Sequence, residues 1–125
     1  MQQPNGRSAD MAHVYRLLGE SRRRYLLYQL LDEPCVTIDD LATQIVAWER
    51  GQSTDAVDEE THQRVCISLV HVHLPMLADH GVVEYDLRSG DVVLTDGIDE
   101  LEPMLEQFRP TEAVAEIKQQ TSASA

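Results

Sequence analysis

His62 and Cys66 stand four residues apart, a spacing that puts both side chains on one face of a helix, with His71 and His73 a short way on. Imidazole and thiolate are zinc-type ligands, so metal binding is the first chemistry to weigh. Against it, His71 and His73 point to nearly opposite sides of a helix, Cys66 falls beside the apolar stripe, and no carboxylate or thiol cluster completes a tetrahedral set. The expectation is that no metal and no cofactor are bound, with His73 in the core and His80 near a helix C-terminus, where its partial positive charge suits the dipole. Cys35 and Cys66 form no CxxC and read as packing residues. There is no Ser/His/Asp order, glycine-rich phosphate loop or convergent carboxylate pair, so the chain does not read as an enzyme.

Arginine offers the other chemistry, recognition of anions. The net charge is -12, from 22 acids against 10 bases, and Lys118 is the one lysine. Such a surface stays hydrated where molar salt screens charge to ~3 Å, so salt adaptation is its simplest cause. Residues 1 to 31 nevertheless carry five arginines against Asp10 and Glu20, whereas residues 32 to 60 hold nine acids against Arg50. An anion-binding surface must therefore draw on the early arginines, Arg64 and Arg88. Arg22, Arg23 and Arg24 begin a helix, where cations oppose the dipole, and Glu20 and Asp32 cannot pair all three. An external phosphate would relieve that conflict.

The elements that position these groups follow from periodicity. Residues 1 to 9 read as disordered, and a globular domain spans 10 to 109. Met11, Val14, Leu17 and Leu18 predict a first helix ending at Gly19. Ser21 would cap a second helix with Tyr25, Leu26, Leu30 and Leu31 on its apolar face, stopped by Pro34. After a short extended piece at Cys35 to Thr37, a third helix runs through Ile38, Leu41, Ile45 and Trp48, with Thr37 and Asp40 resembling a capping box. A polar loop over 50 to 60 leads to a fourth helix whose apolar line is Val65, Leu69, Val72 and Met76, with Pro75 kinking it near Val72. VVEYD and DVVLTD then read as a hairpin around Leu87 to Gly90. A last helix carries Ile98, Leu101, Leu105 and Phe108, and residues 110 to 125 read as a flexible tail.

Helix, helix, short strand, helix, loop, helix, hairpin, helix is the order of a winged helix-turn-helix flanked by N- and C-terminal helices, a mainly α fold with a small β-hairpin wing. In that arrangement the fourth helix enters the major groove and the wing tip, here Arg88, reaches phosphate. Thr61, His62, Arg64, Ser68 and His71 point away from the apolar line and are the expected DNA contacts, together with Arg22, Arg23, Arg24 and Arg88. The competing reading of that helix is a solvated face.

The segments LLGESRRRYLLYQLL, VTIDDLATQIVAWE and SLVHVHLPMLADHGVVEYD, with the hairpin, resemble haloarchaeal winged-helix domains of unknown function that are distantly similar to ArsR-type repressors. The resemblance spans about Val14 to Thr95, and the Trp48 to Thr61 insertion is typical of the haloarchaeal group. It implies a cytoplasmic, homodimeric transcriptional regulator that binds duplex DNA and has no catalytic residues. The dimer would be built from the first helix and the Ile98 to Phe108 helix. No apolar run is long enough for a membrane span, and the first ten residues lack a secretory pattern. The alternative function is an acidic winged-helix adaptor that binds protein and not DNA.

Overall fold

A computed structural model describes residues 11–112, so the expected disordered stretch 1 to 9 and most of the expected tail lie outside the described residues. The chain forms a mostly helical fold with a small three-stranded sheet. In order come α1 over residues 11–18, α2 (Ser21–Asp32), β1 (Cys35–Thr37), α3 (Ile38–Arg50), a 3-10 turn (Thr54–Ala56), α4 (Glu59–Ser68), a π-helical segment (Leu69–His73) and α5 (Leu74–Asp79). The hairpin β2 (Val83–Asp86) and β3 (Asp91–Leu94), α6 (Ile98–Phe108) and a closing 3-10 turn (Arg109–Thr111) complete it. No helix among the described residues is long and apolar enough to cross a membrane.

Most of the helical spacings read from the sequence face the core, but Met11 and Phe108, expected on apolar faces, are 43% and 37% exposed. Val14, Leu17 and Leu18 from α1, Leu26, Leu27 and Leu30 from α2, and Leu41, Ile45 and Trp48 from α3 are buried in one cluster with Val65, Leu69, Leu77 and Leu105. Thr37 caps α3 by accepting from the Asp40 N–H at 3.0 Å, and Asp58 caps α4 by accepting from the Thr61 N–H at 3.1 Å. Ser21 does not cap α2. It is the first helical residue, and the Glu20 carbonyl accepts from the N–H groups of Arg23 and Arg24.

The proline at 75 explains the middle of the long helix. Lacking an N–H, it cannot close an ordinary turn, and the chain widens into the π segment immediately before α5. The extra residue rotates the apolar line: Val72, expected on the core side, is 48% exposed, while His73 and Leu74 turn inward. At the far end Gly81, with φ 72°, terminates α5. The Val82 N–H reaches back to the Leu77 carbonyl and the Gly81 N–H to that of Ala78, while Leu77 and Val82 are both buried.

The short extended piece is a true strand. The sheet order is β1-β3-β2, antiparallel throughout, with Val36 opposite Val92 and Tyr85 opposite the same Val92 on the other side. The Ile38 N–H donates to the Gly90 carbonyl at 2.7 Å and the Leu94 N–H to that of Pro34 at 2.9 Å, so the hairpin turn is tied to the start of α3. Sequence reading missed this pairing, because a three-residue strand has no alternation to read.

Candidate functional site

The arginine triplet is structural. Arg23 is buried and its guanidinium forks into the C-terminal end of α1, donating to the Leu17 carbonyl at 2.7 Å and to that of Arg16 at 2.9 Å. Its third contact is His73 Nδ1, at 3.1 Å. An arginine can only donate, so His73 must accept through Nδ1 and carry its proton on Nε2. Burial pulls the His73 pKa below the ordinary histidine range, and the positive charge of Arg23 adds to the effect. Burial likewise lowers the pKa of Arg23, partly offset by Glu20.

Arg24 donates to the Leu18 carbonyl and grips Glu112 with two bonds of 2.9 and 2.6 Å, and Tyr28 donates its hydroxyl to the same carboxylate at 2.7 Å. Burial and that carboxylate push the Tyr28 pKa up. For Glu112, burial works upward but is outweighed by the Arg24 and Tyr28 hydrogen bonds, leaving its pKa low. Glu112 belongs to the stretch expected to be a flexible tail, and it is held against α2. Arg22 pairs with Glu49 at 2.7 Å, and Asp32 is taken by Arg109 at 2.7 Å. Acids adjacent in sequence do not account for the triplet. The partners come instead from α1 carbonyls and from acids 27 and 88 residues away, so Arg23 and Arg24 are not free to meet a phosphate.

Of the groups expected on the outward face of the fourth helix, Arg64 and His71 are exposed and the others are not fully so. Arg64 is exposed and carries an i,i+4 pair with Glu60 at 2.9 Å; Ser68 and Thr61 are half-buried; His71 is exposed. Arg88 is exposed at the hairpin tip, its N–H held by Asp86 Oδ1 at 2.9 Å. Acids outnumber these cations, with Glu59 and Glu60 on α4 and Glu84, Asp86 and Asp91 on the hairpin. Ile67, Val72 and Leu87 add exposed apolar surface.

His62 turns elsewhere, and the expectation that no metal would find ligands is overturned here. Packing of α4 against α3 brings the His62 ring to the first turn of α3, with Nε2 3.0 Å from Asp39 Oδ1 and 3.1 Å from the Asp39 carbonyl. Cys66 Sγ lies 3.8 Å from the same Nε2. One oxygen, one nitrogen and one sulfur from Asp39, His62 and Cys66 all fall within 4.8 Å of one another. The carboxylate lies 23 residues before His62, on another helix and out of reach of local spacing. No local spacing signals it; the packing of α3 on α4 sets the start of α3 beside His62. Burial and the Asp39 charge raise the Cys66 pKa. Of the other histidines, His71 and His73 stay apart from this cluster, and His80 accepts from or donates to nothing in it, its Nδ1 lying 3.0 Å from the Met76 carbonyl.

No curated protein and no solved structure is significantly similar to the chain. A domain of unknown function, DUF7344, matches residues 15–93, from α1 through β3, and so takes in Asp39, His62, Cys66, Arg64 and Arg88. The match covers well over half of the sequence, and the chain belongs to the DUF7344 family.

Proposed function

We propose that the chain is a winged helix-turn-helix transcriptional regulator that reads duplex DNA with α4 and the hairpin. The observation that carries this reading is topological. A strand between α2 and α3 joins the hairpin in the order β1-β3-β2, α3 packs on α4, and the wing turn is anchored to Ile38 at the start of α3. Arg64 and Ser68 on α4 and His71 on the π segment that continues it are then the base- and phosphate-facing groups, with Thr61 near the start of α4 and Arg88 on the wing. The acidic, nearly lysine-free composition supports a salt-adapted setting, where few ionic contacts are needed and hydrogen bonds and shape carry binding, and the haloarchaeal, ArsR-like part of this reading rests on the sequence resemblance alone. The homodimer in this reading rests on α1, where Met11 and Tyr15 are exposed. Helix α6 contributes less than its sequence suggested, since Ile98, Leu101 and Leu105 are spent on the core.

A second reading is favoured by one specific observation. The acids around Arg64 and Arg88, with exposed Ile67, Val72 and Leu87, suit a protein partner better than a polyanion. Selection of genomic duplex fragments in molar KCl separates the two: selective enrichment supports the regulator, and a folded protein that enriches nothing at any salt supports the acidic adaptor.

A further inference from the structure

We propose that Asp39, His62 and Cys66 form a binding site for a divalent cation of the Zn(II) class, clamping the first turn of α3 to α4. The ligand types are those such a cation takes together: carboxylate oxygen, imidazole nitrogen and thiolate sulfur. The spacing fits as well. With metal bonds of ~2.0 Å to oxygen and nitrogen and ~2.3 Å to sulfur, a tetrahedral set has N···O and N···S edges of about 3.3 and about 3.6 Å. The side-chain separations are 3.0 Å for Asp39 Oδ1 to His62 Nε2 and 3.8 Å for Cys66 Sγ to His62 Nε2, each within a few tenths of an ångström of those edges, and the third edge, between Asp39 and Cys66, is within 4.8 Å and closes by rotation of the exposed Asp39 side chain. Three ligands leave a fourth position, and the exposed Asp39 side chain keeps the site open to solvent for a water there. The two helices also restrict the ligands differently. His62 and Cys66 are fixed one turn apart on α4 and half-buried, whereas Asp39 completes the set from the neighbouring helix.

Binding replaces the proton on the Cys66 thiol by the cation, and that proton leaves to solvent, while His62 binds as the neutral imidazole through Nε2 with its ring proton on Nδ1. Without the cation the His62 to Asp39 contact joins the same two helices more weakly, so occupancy strengthens an existing junction and does not create a new fold. Any use of the site as a sensor controlling DNA binding by α4 rests on the regulator reading above. The site itself does not, and the test below reads metal ligation alone, so either can fail without the other.

The test is a titration of the full chain, kept reduced with a non-thiol reductant, with Co(II) followed by Zn(II). We expect a thiolate-to-cobalt charge-transfer band that saturates at one equivalent and is bleached by Zn(II). Cys66→Ser abolishes it and Cys35→Ser leaves it intact. His62→Gln and Asp39→Asn each weaken Co(II) binding at least about tenfold, a loss that a purely structural role for these residues would not produce in a folded protein. Asp39 is a surface side chain, so its variant keeps the test decisive should Cys66→Ser fail to fold. A folded wild type without the band, a band that survives Cys66→Ser, or binding indifferent to both Asp39→Asn and His62→Gln would overturn the proposal.

Discussion

Replacing Arg23 by methionine separates a structural arginine from a phosphate-binding one. The native guanidinium makes three contacts, to the Arg16 and Leu17 carbonyls and to His73, and sits almost wholly out of water. A hydrogen bond from a charged donor contributes about 1.5–3 kcal/mol, and an acceptor stripped of its donor in the interior costs about 1–3 kcal/mol. Methionine restores part of the apolar contact, and water reaches the edge of the α1 terminus, so the expected loss lies below the full sum, at about 3–4 kcal/mol. With a urea slope of ~1.5–2 kcal/mol per molar for a chain of this size, the unfolding midpoint falls by about 2 M. Arg23→Lys keeps the charge but cannot fork to three acceptors, and it should fall between wild type and methionine. A cycle with His73→Phe should show coupling of about 1 kcal/mol, because removing both partners leaves no stranded acceptor between them. The assay is urea unfolding followed by circular dichroism at fixed KCl. A methionine variant within about 0.5 kcal/mol of wild type, or a strictly additive cycle, would refute the assignment.

Other consequences follow from the same contacts. His73 has a lowered folded pKa, so between that value and the ordinary ~6.5 of the unfolded chain only the unfolded state takes the proton; stability is full above ~6.5 and declines as pH falls below it. The charges around it are Arg23 and Arg22, which lower the pKa, and Glu20 and Glu49, which oppose them, so His73→Phe should flatten this part of the pH–stability curve relative to wild type. Glu112→Gln should destabilise by about 1–2 kcal/mol, seen in the urea midpoint, because Tyr28 and Arg24 lose a shared anionic acceptor. The native Glu112 contribution is present above the ordinary carboxylate range and disappears as pH falls through its lowered folded value. Gly97→Ala should cost about 1–3 kcal/mol in the same assay, since a Cβ there runs into the Gly81 carbonyl that the Gly97 N–H itself contacts at 2.9 Å.

Most of the helical framework could be read from the sequence because its apolar residues repeat at the helical period and its ends carry strong signals. Thr37, Gly81 and the hairpin turn act locally, and the structure uses them as local rules predict. What could not be read depends on distance along the chain. The π segment rotated Val72 out of the core, a change that a fixed period cannot represent, although His73 is buried as expected. The arginine triplet found Glu49, Glu112 and the end of α1, and His62 found Asp39. Each of those pairings follows from helix packing, and a residue-by-residue scan sees only the half of it that lies nearby.

We propose that α4 and the wing read duplex DNA. That reading is tested most directly by fragment selection from genomic DNA in molar KCl, with wild type beside an Arg64→Ala/Arg88→Ala double variant. Both side chains are exposed, so the double variant should fold like wild type, as circular dichroism will show. Wild type should enrich fragments selectively, and the double variant should lose that enrichment. Absence of enrichment at every salt concentration, or enrichment that the double variant retains in full, would contradict it.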